Sequence, residues 1–473
     1  MLVEESYVDR DYLEDFSAYY VRCFHPYERT CARLHFFTAA FTQDQFARLL
    51  QGEGDLSRDA LSQGYRGFLV VRPLPMKVIG RTCLATYDSL EGRRVFPTVG
   101  PNSSNLFGVP LETRTLPFQE QDQVTSACAT SALWSAFSGT ARQFQHRLLS
   151  PVEITKAATA RMPLRSRALP NTDGLTPDQM AHAIREVGLE PYIVESTDQT
   201  AFRSAVYAYV AGGIPVLLLF NVSAMVSGSR TTLGTHAVTV TGYGFPESSS
   251  PETASRRFRS KALELDKLYV HDDQVGPHAR MRFHGSENDW YLSTSFGADR
   301  YEGVRALPVA ILLPLYHKIR TSFRGPLNDV MQFNAALRTL ALVQSAPGGP
   351  SVPSDILWDF RLTTVNQLKT SIMETTAKLG VTKRSLLTQD FPRFLWHASA
   401  TTSAGPLIDI LFDATDIDSG RYICRLDIHT TDVLLAIQSA IDSQKDWSVS
   451  RAFAQILNKM EESPRSLDKR QSV

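Results

Sequence analysis

Residues 126–137 read Ser-Ala-Cys-Ala-Thr-Ser-Ala-Leu-Trp-Ser-Ala-Phe, and residues 234–241 read Gly-Thr-His-Ala-Val-Thr-Val-Thr. In the first stretch Ala129, Ala132, Leu133, Ala136 and Phe137 recur at helical spacing, which predicts a helix over 127–137 with Cys128 in its opening turn. The second alternates between apolar and polar residues and runs into Gly242-Tyr243-Gly244, which predicts a strand with His236 at its start and a turn at its end. A cysteine at a helix N-terminus gains acidity, because the exposed amides and the helix dipole favour the anion. An imidazole that follows small residues at a strand start can face a cleft while Val238 and Val240 face a core. A third stretch, Tyr269-Val270-His271-Asp272-Asp273, ends a short strand in two carboxylates. Asp272 continues the strand and is preferred as the partner that orients the imidazole, and Asp273 is the alternative. Turn capping is the plainer use of either one.

Around these stretches the chain alternates helix and strand signals. Ser150-Pro151-Val152-Glu153 and Thr176-Pro177-Asp178-Gln179 each combine a cap, a first-turn proline and an acid or amide three residues on, and Gly188 closes the second helix. Residues 191–194, 216–220 and 267–271 read as strands, and 201–210 as a helix ending at Gly212-Gly213. The polar stretch 248–261, with Arg256, Arg257 and Arg259, reads as an exposed insertion. Upstream, Thr42 with Gln45 opens a helix to Leu50, Leu34–Phe37 is short and apolar, and 67–73 is a buried strand stopped by Pro73. Residues 95–109, rich in Pro, Gly, Asn and Ser, suit a connector. Downstream, 330–343 and 431–441 read as helices, 406–412 as a strand and 463–473 as a frayed tail.

The bulk numbers bound the answer. At roughly 100–200 residues per domain, 473 residues give two to four domains. We expect three: 1–110, a mixed α/β unit of unassigned role; 111–320, carrying the chemistry; and 321–473, an α/β unit with a disordered tail. Hydrophobic residues are 43% and charged residues 21% of the chain, the balance of an ordinary globular protein. Lys plus Arg and Asp plus Glu are 49 each, so no global attraction for nucleic acid is indicated. The apolar runs 214–220 and 309–315 are too short to span a bilayer, and the acidic start lacks the pattern of a secretory signal. Five scattered cysteines, at 23, 31, 83, 128 and 424, do not make a disulfide framework, so a reducing, cytoplasmic setting is expected.

The order of a glutamine, a cysteine-bearing helix, Gly-Thr-His-Ala-Val and a strand-ending aspartate resembles the papain-like cysteine peptidases. The likeness is greatest to the branch that processes bacteriocin and double-glycine leaders, and it covers about residues 115–315. The resemblance implies an α+β catalytic domain with a helical half and an antiparallel sheet half. It implies Cys128 as nucleophile, His236 as base, Asp272 as the orienting group and a glutamine at the oxyanion. Two positions depart from the family pattern. Ala129 follows the cysteine where a glycine is usual, and Asp122 stands where the glutamine is expected, between Gln119, Gln121 and Gln123. One extra loop residue makes Gln121 the preferred donor, with Gln123 second.

The reaction this implies is acyl transfer on a protein or peptide substrate, without cofactor or metal. Water as acceptor makes a peptidase or isopeptidase, an amine acceptor a transglutaminase and a glutamine substrate a deamidase. A papain fold kept only as a binding scaffold is the non-enzymatic alternative. Occlusion of the cleft by the N-terminal unit is a further option raised by its position in the chain. Phosphate cradles of the G-x-x-x-x-G-K and G-x-G-x-x-G kinds are absent. Cys23, His25, Cys31 and His35 have zinc-type side chains, but Cys23 and His25 are too close in sequence for the usual ligand pairs. Asp413, Asp416 and Asp418 follow an apolar strand, without the glycine and terminal glutamate of a calcium loop. His271, His278 and His284 are accessory candidates near the cleft.

Overall fold

In the computed structural model the described residues are all but 123, 162–167, 172–173, 248–257, 288, 344–351, 377–382, 418–421, 444–450, 452, 455, 457 and 460–473. The chain is mixed α+β, its helices packed on several antiparallel sheets. Among the described residues no helix is long and apolar enough to cross a membrane. Residues 1–247 and 265–316 form one compact unit, and 248–264 with 317–473 a second. Residues 1–110 and most of 111–320 therefore lie in the first unit, and the chain leaves it and returns between the segments that carry His236 and Asp272.

The first unit begins with a four-stranded sheet in the order β1 (Leu2–Tyr7), β2 (Cys31–Phe37), β3 (Tyr65–Val71), β4 (Ile79–Leu84). It carries α1 (Arg10–Ala18), α2 (Gln43–Gln51) and α3 (Arg58–Gly64). The capping box expected at Thr42 is formed with Gln45. Two-residue β5 (Arg94–Val95) follows, and then β6 (Gly100–Leu106) and β7 (Val109–Thr115) pair with each other. The expected connector over 95–109 is thus largely a hairpin. Its turn-prone residues mask a strict alternation, in which β7 buries every second side chain from Val109 to Thr115.

The helical layer consists of α4 (Cys128–Phe144), α5 (Pro151–Thr159), α6 (Pro177–Glu186) and α7 (Gln199–Ala211). Ser150 with Glu153 and Thr176 with Gln179 make the two predicted capping boxes. The sheet half comprises β8 (Glu190–Glu195), β9 (Val216–Val226), β10 (Ser229–Gly244), β11 (Lys267–Asp272), β12 (Gly276–Ser286), β13 (Asp289–Ser293) and β14 (Glu302–Leu315). Strands β9 to β14 pair in a closed cycle, because β14 returns to β9 and β10 pairs β11; β8 joins β14 from outside, and β5 joins β10. Closure satisfies the backbone of the strands that hold the site and leaves no free edge among them.

Helix α4 packs its small residues Ala129, Ala132 and Ala136, with Leu133 and Phe137, against Leu217, Ala237 and Leu312 of the sheet. The contact is close: a Cβ on Gly139 would stand 2.7 Å from Pro215 and 3.1 Å from Leu116. Burying a side chain the size of Phe137 or Leu312 contributes about 1.5–3 kcal/mol. The Thr239 hydroxyl donates to the Ala132 carbonyl at 2.6 Å, tying the histidine strand to the cysteine helix.

The second unit holds α8 (Arg324–Val343), α9 (Val365–Glu374), α10 (Lys383–Thr388), α11 (Thr431–Ser443) and a sheet ordered β15 (Leu357–Thr364), β16 (Phe394–Thr402), β17 (Gly405–Asp413), β18 (Ile423–Ile428). Of the predicted exposed insertion, residues 248–257 lie outside the described residues. Its described end is not a loose loop: Ser260 is buried and bridges Trp358, and Lys261 pairs with Asp359 at 3.0 Å.

Candidate functional site

Three chain segments converge at the start of α4. Cys128 is its first residue, and the N-cap Ala127 supplies no side-chain hydrogen bond. The first amides of a helix have no intrahelical partner, so this terminus is left open where α5 and α6 are closed by their boxes. Thr98 holds the far end of β10 through the Thr241 carbonyl and Phe96 packs on Tyr269 of β11, whereas His236 lies where β10 pairs with Phe220 of β9.

The His236 ring is buried, with Nε2 at 2.9 Å from Asp272 Oδ1 and 3.6 Å from Asp273 Oδ1. The ring and the Cys128 side chain line the same cavity. Because Nε2 is engaged by Asp272, Nδ1 is the nitrogen left for the sulfur. Burial opposes a charge on His236, but the bond to Asp272, the nearby Cys128 side chain and the charges of Asp272 and Asp273 outweigh it. The imidazolium is held well above the ordinary histidine range. Phe296 lies against the ring at 4.8 Å between centroids and Phe220 meets it edge-on at 5.4 Å, closing two sides to water.

The two aspartates approach together where β11 ends: Asp272 is its last residue and Asp273 opens the turn to β12, beyond the strand's alternation. Regular alternation would send neighbouring side chains to opposite faces. Gln274 donates its amide to Asp272 Oδ1 at 3.0 Å and its side chain to Asp273 Oδ2 at 2.8 Å, and Lys77 donates to Gln274 Oε1 at 3.1 Å. Asp273 Oδ1 is buried without a hydrogen-bond partner. Burial first, and then the charge of Asp272, push Asp273 up to about 6 against the pull of His236. His236, Asp272 and Asp273 are also the group whose donor atoms lie within 4.8 Å of one another, a set able to hold a metal ion.

The loop before Cys128 is pinned by Asp122. Its Oδ1 accepts the amides of Val124, Thr125 and Ser126 at 2.9, 2.8 and 2.8 Å. Its Oδ2 accepts the hydroxyls of Tyr20, at 2.8 Å, and Thr125. An ionised carboxylate only accepts, so Asp122 organises the loop and is no oxyanion donor. Of the glutamines, Gln119 is buried with Nε2 unpartnered, Gln121 is half-buried, and Gln123 lies outside the described residues.

Cys128 and His236 open on a cavity of about 700 Å³. Gln121 is not among its lining residues, and neither is any residue of 1–110. The N-terminal layer does not occlude this cavity. It grips the helices instead: Trp134 Nε1 donates to Asp11 at 3.1 Å and the Val152 amide to Asp15 at 3.0 Å.

No known family model matches the chain, and no curated protein sequence matches it.

The other candidates resolve as structural groups. Cys31 and Cys83 are buried in one apolar cluster, where burial pushes both thiols up to about 12. His35 is held by Tyr65 and Glu4. His271 is bonded to the Leu116 carbonyl and lowered to about 4 by burial, and His278 is bonded to Thr241 and Thr115. His284 stacks on Tyr291. Asp413 accepts from the Thr415 amide, as a strand-to-turn residue does, and Asp418 lies outside the described residues. Of the three arginines, Arg259 pairs with Glu264 at 3.4 Å. Phe296, the anchoring role of Asp122 and the approach of both aspartates together to His236 were not foreseen; Asp273 was expected only as the alternative to Asp272.

Proposed function

We propose that this chain is a papain-like cysteine-nucleophile enzyme that hydrolyses a peptide or isopeptide bond. The observation that carries the reading is the His236 ring, bonded through Nε2 to Asp272 and sharing with Cys128 the wall of a cavity open to a substrate. Cys128 Sγ attacks the carbonyl carbon, and His236 delivers its Nδ1 proton to the departing amine. The resulting thioester is opened by a water from which His236 takes a proton, and the thiolate leaves. Asp272 keeps Nε2 protonated and Nδ1 turned to the sulfur. The oxyanion meets the open amides at the start of α4 and a glutamine side chain. The resemblance favours Gln121, and the unpartnered, buried Nε2 of Gln119 favours Gln119. An amine or glutamine partner converts the same steps into transglutamination or deamidation. All five cysteines are free thiols, which supports a reducing, cytoplasmic setting.

A second reading is a papain-like scaffold without catalysis. It is favoured by Asp122, an acceptor where the family has a donor, and by Ala129 in place of glycine. Alkylation with iodoacetamide at mildly acidic pH separates the two, with the half-buried Cys23 and Cys424 as internal controls. The enzyme reading expects Cys128 to label first and His236→Ala to slow it. Equal, slow labelling of these cysteines, insensitive to that substitution, sinks it.

A further inference from the structure

The face of the sheet that α4 and α6 cover does not stop at the helices. Leu217, Ala237 and Leu312 lie under them in the core, and on the same face Leu219 and Ala310, which pair with each other, continue into the cavity wall. The face ends on β8, where Ile193 and Glu195 point to the same side, both exposed, and Val194 points away and is buried. The cavity thus has an apolar floor running from the Cys128–His236 pair toward a carboxylate. Among its described lining residues, Glu195 is the one ionisable group besides that pair. The next residue, Ser196, also lines the cavity, and its hydroxyl is buried without a hydrogen-bond partner. The N-terminus of α6 also lines the cavity, and its first amides are already met by the Thr176–Gln179 capping box.

We infer that this cavity selects a lysine or arginine side chain of a peptide, its aliphatic stem on Leu219, Ala310 and Ile193 and its cation on Glu195 and Ser196. Long basic side chains bury their methylenes along apolar surface and keep the charged head at a polar group. An apolar floor with one carboxylate and one spare hydroxyl at its end matches that division. The assignment of this side chain to a substrate rests on the reading of Cys128 as nucleophile; the recognition of the cation does not.

The test uses the full chain carrying Cys128→Ala, so that binding is read without chemistry. Fluorescein-labelled peptide amides that differ at one position, arginine or norleucine, are titrated by anisotropy. The arginine peptide is expected to bind about tenfold tighter, the order of one charge-assisted hydrogen bond. Adding Glu195→Gln should remove the preference, and Glu195→Arg should transfer it to a glutamate-bearing peptide. A preference of less than twofold, or one that survives Glu195→Gln, overturns the inference whatever the reactivity of Cys128. Iodoacetamide labelling of the unmodified chain, run in parallel, reports separately on the enzyme reading.

Discussion

Asp273→Asn tests the electrostatics behind His236 quantitatively. Burial and the neighbouring Asp272 move Asp273 from the ordinary 3.8 to about 6, and at ~1.4 kcal/mol per pH unit this is worth about 3 kcal/mol. Between these two values the folded chain holds a proton that the unfolded chain has released, so stability falls as pH rises through the window. Above about 6 the full cost applies, and below 3.8 it is absent. Asparagine is nearly isosteric, can still accept from Gln274, and does not titrate. Any pH-independent cost of the exchange cancels when the same substitution is compared at two pH values. The stability of Asp273→Asn relative to the parent should therefore be about 2 kcal/mol more favourable at pH 8 than at pH 4, where part of the cost is already present. Urea midpoints for the first unit alone are obtained by pulse proteolysis, with cleavage within residues 1–247 and 265–316 read by mass spectrometry. Parallel midpoints for parent and variant from pH 4 to pH 8 would refute the claim that burial beside Asp272 keeps the proton on this carboxyl up to about pH 6.

Two further substitutions probe separate parts of the chain. Asp122→Ala strips the cysteine loop of its buried acceptor; the first unit should lose about 3 kcal/mol, and Cys128 should lose its labelling advantage over Cys23. In the second unit Asp409 is bonded to His397 at 2.8 Å and His429 at 2.7 Å. Burial opposes its charge, but these bonds hold Asp409 well below the usual carboxylate range. A depressed carboxyl stabilises above its unfolded value, about 4, and loses that contribution as pH falls through the folded one. Asp409→Asn should lower the second unit's melting temperature at pH 6, and the gap to the parent should close on acidification below pH 4.

The parts of the site that were legible in the sequence are those specified by local rules. The helix at Cys128 announces itself by apolar spacing, the boxes at Ser150 and Thr176 by cap chemistry, and the His236 strand by alternation. What was not legible depends on contacts distant in the chain. The anchoring role of Asp122 needs Tyr20 from the short 3-10 turn after α1, and Phe296 reaches His236 from the segment between β13 and β14. The meeting of Asp273 with Asp272 at one imidazole depends on β11 ending at Asp272, so that Asp273 falls in a turn, a boundary that composition does not encode. The hairpin β6–β7 was obscured because Gly100, Pro101 and Asn102 are turn-formers by propensity, whereas alternation and pairing decide the outcome here.

The excursion of residues 248–264 into the second unit makes the two halves topologically inseparable at a single cut. The strand bearing the imidazole and the strand bearing its carboxylate are consecutive in the first unit but joined through a piece of the other. Ending translation after Tyr316 would orphan that piece from Trp358 and Asp359, leaving Ser260 and Lys261 without their seats. The dyad's backbone tether would then become a slack, sticky loop. Assembly of the His236–Asp272 pair is therefore expected to be completed only once Trp358 and Asp359 have been synthesised, so that a chain cut after Tyr316 carries both residues without the tether that brings them together.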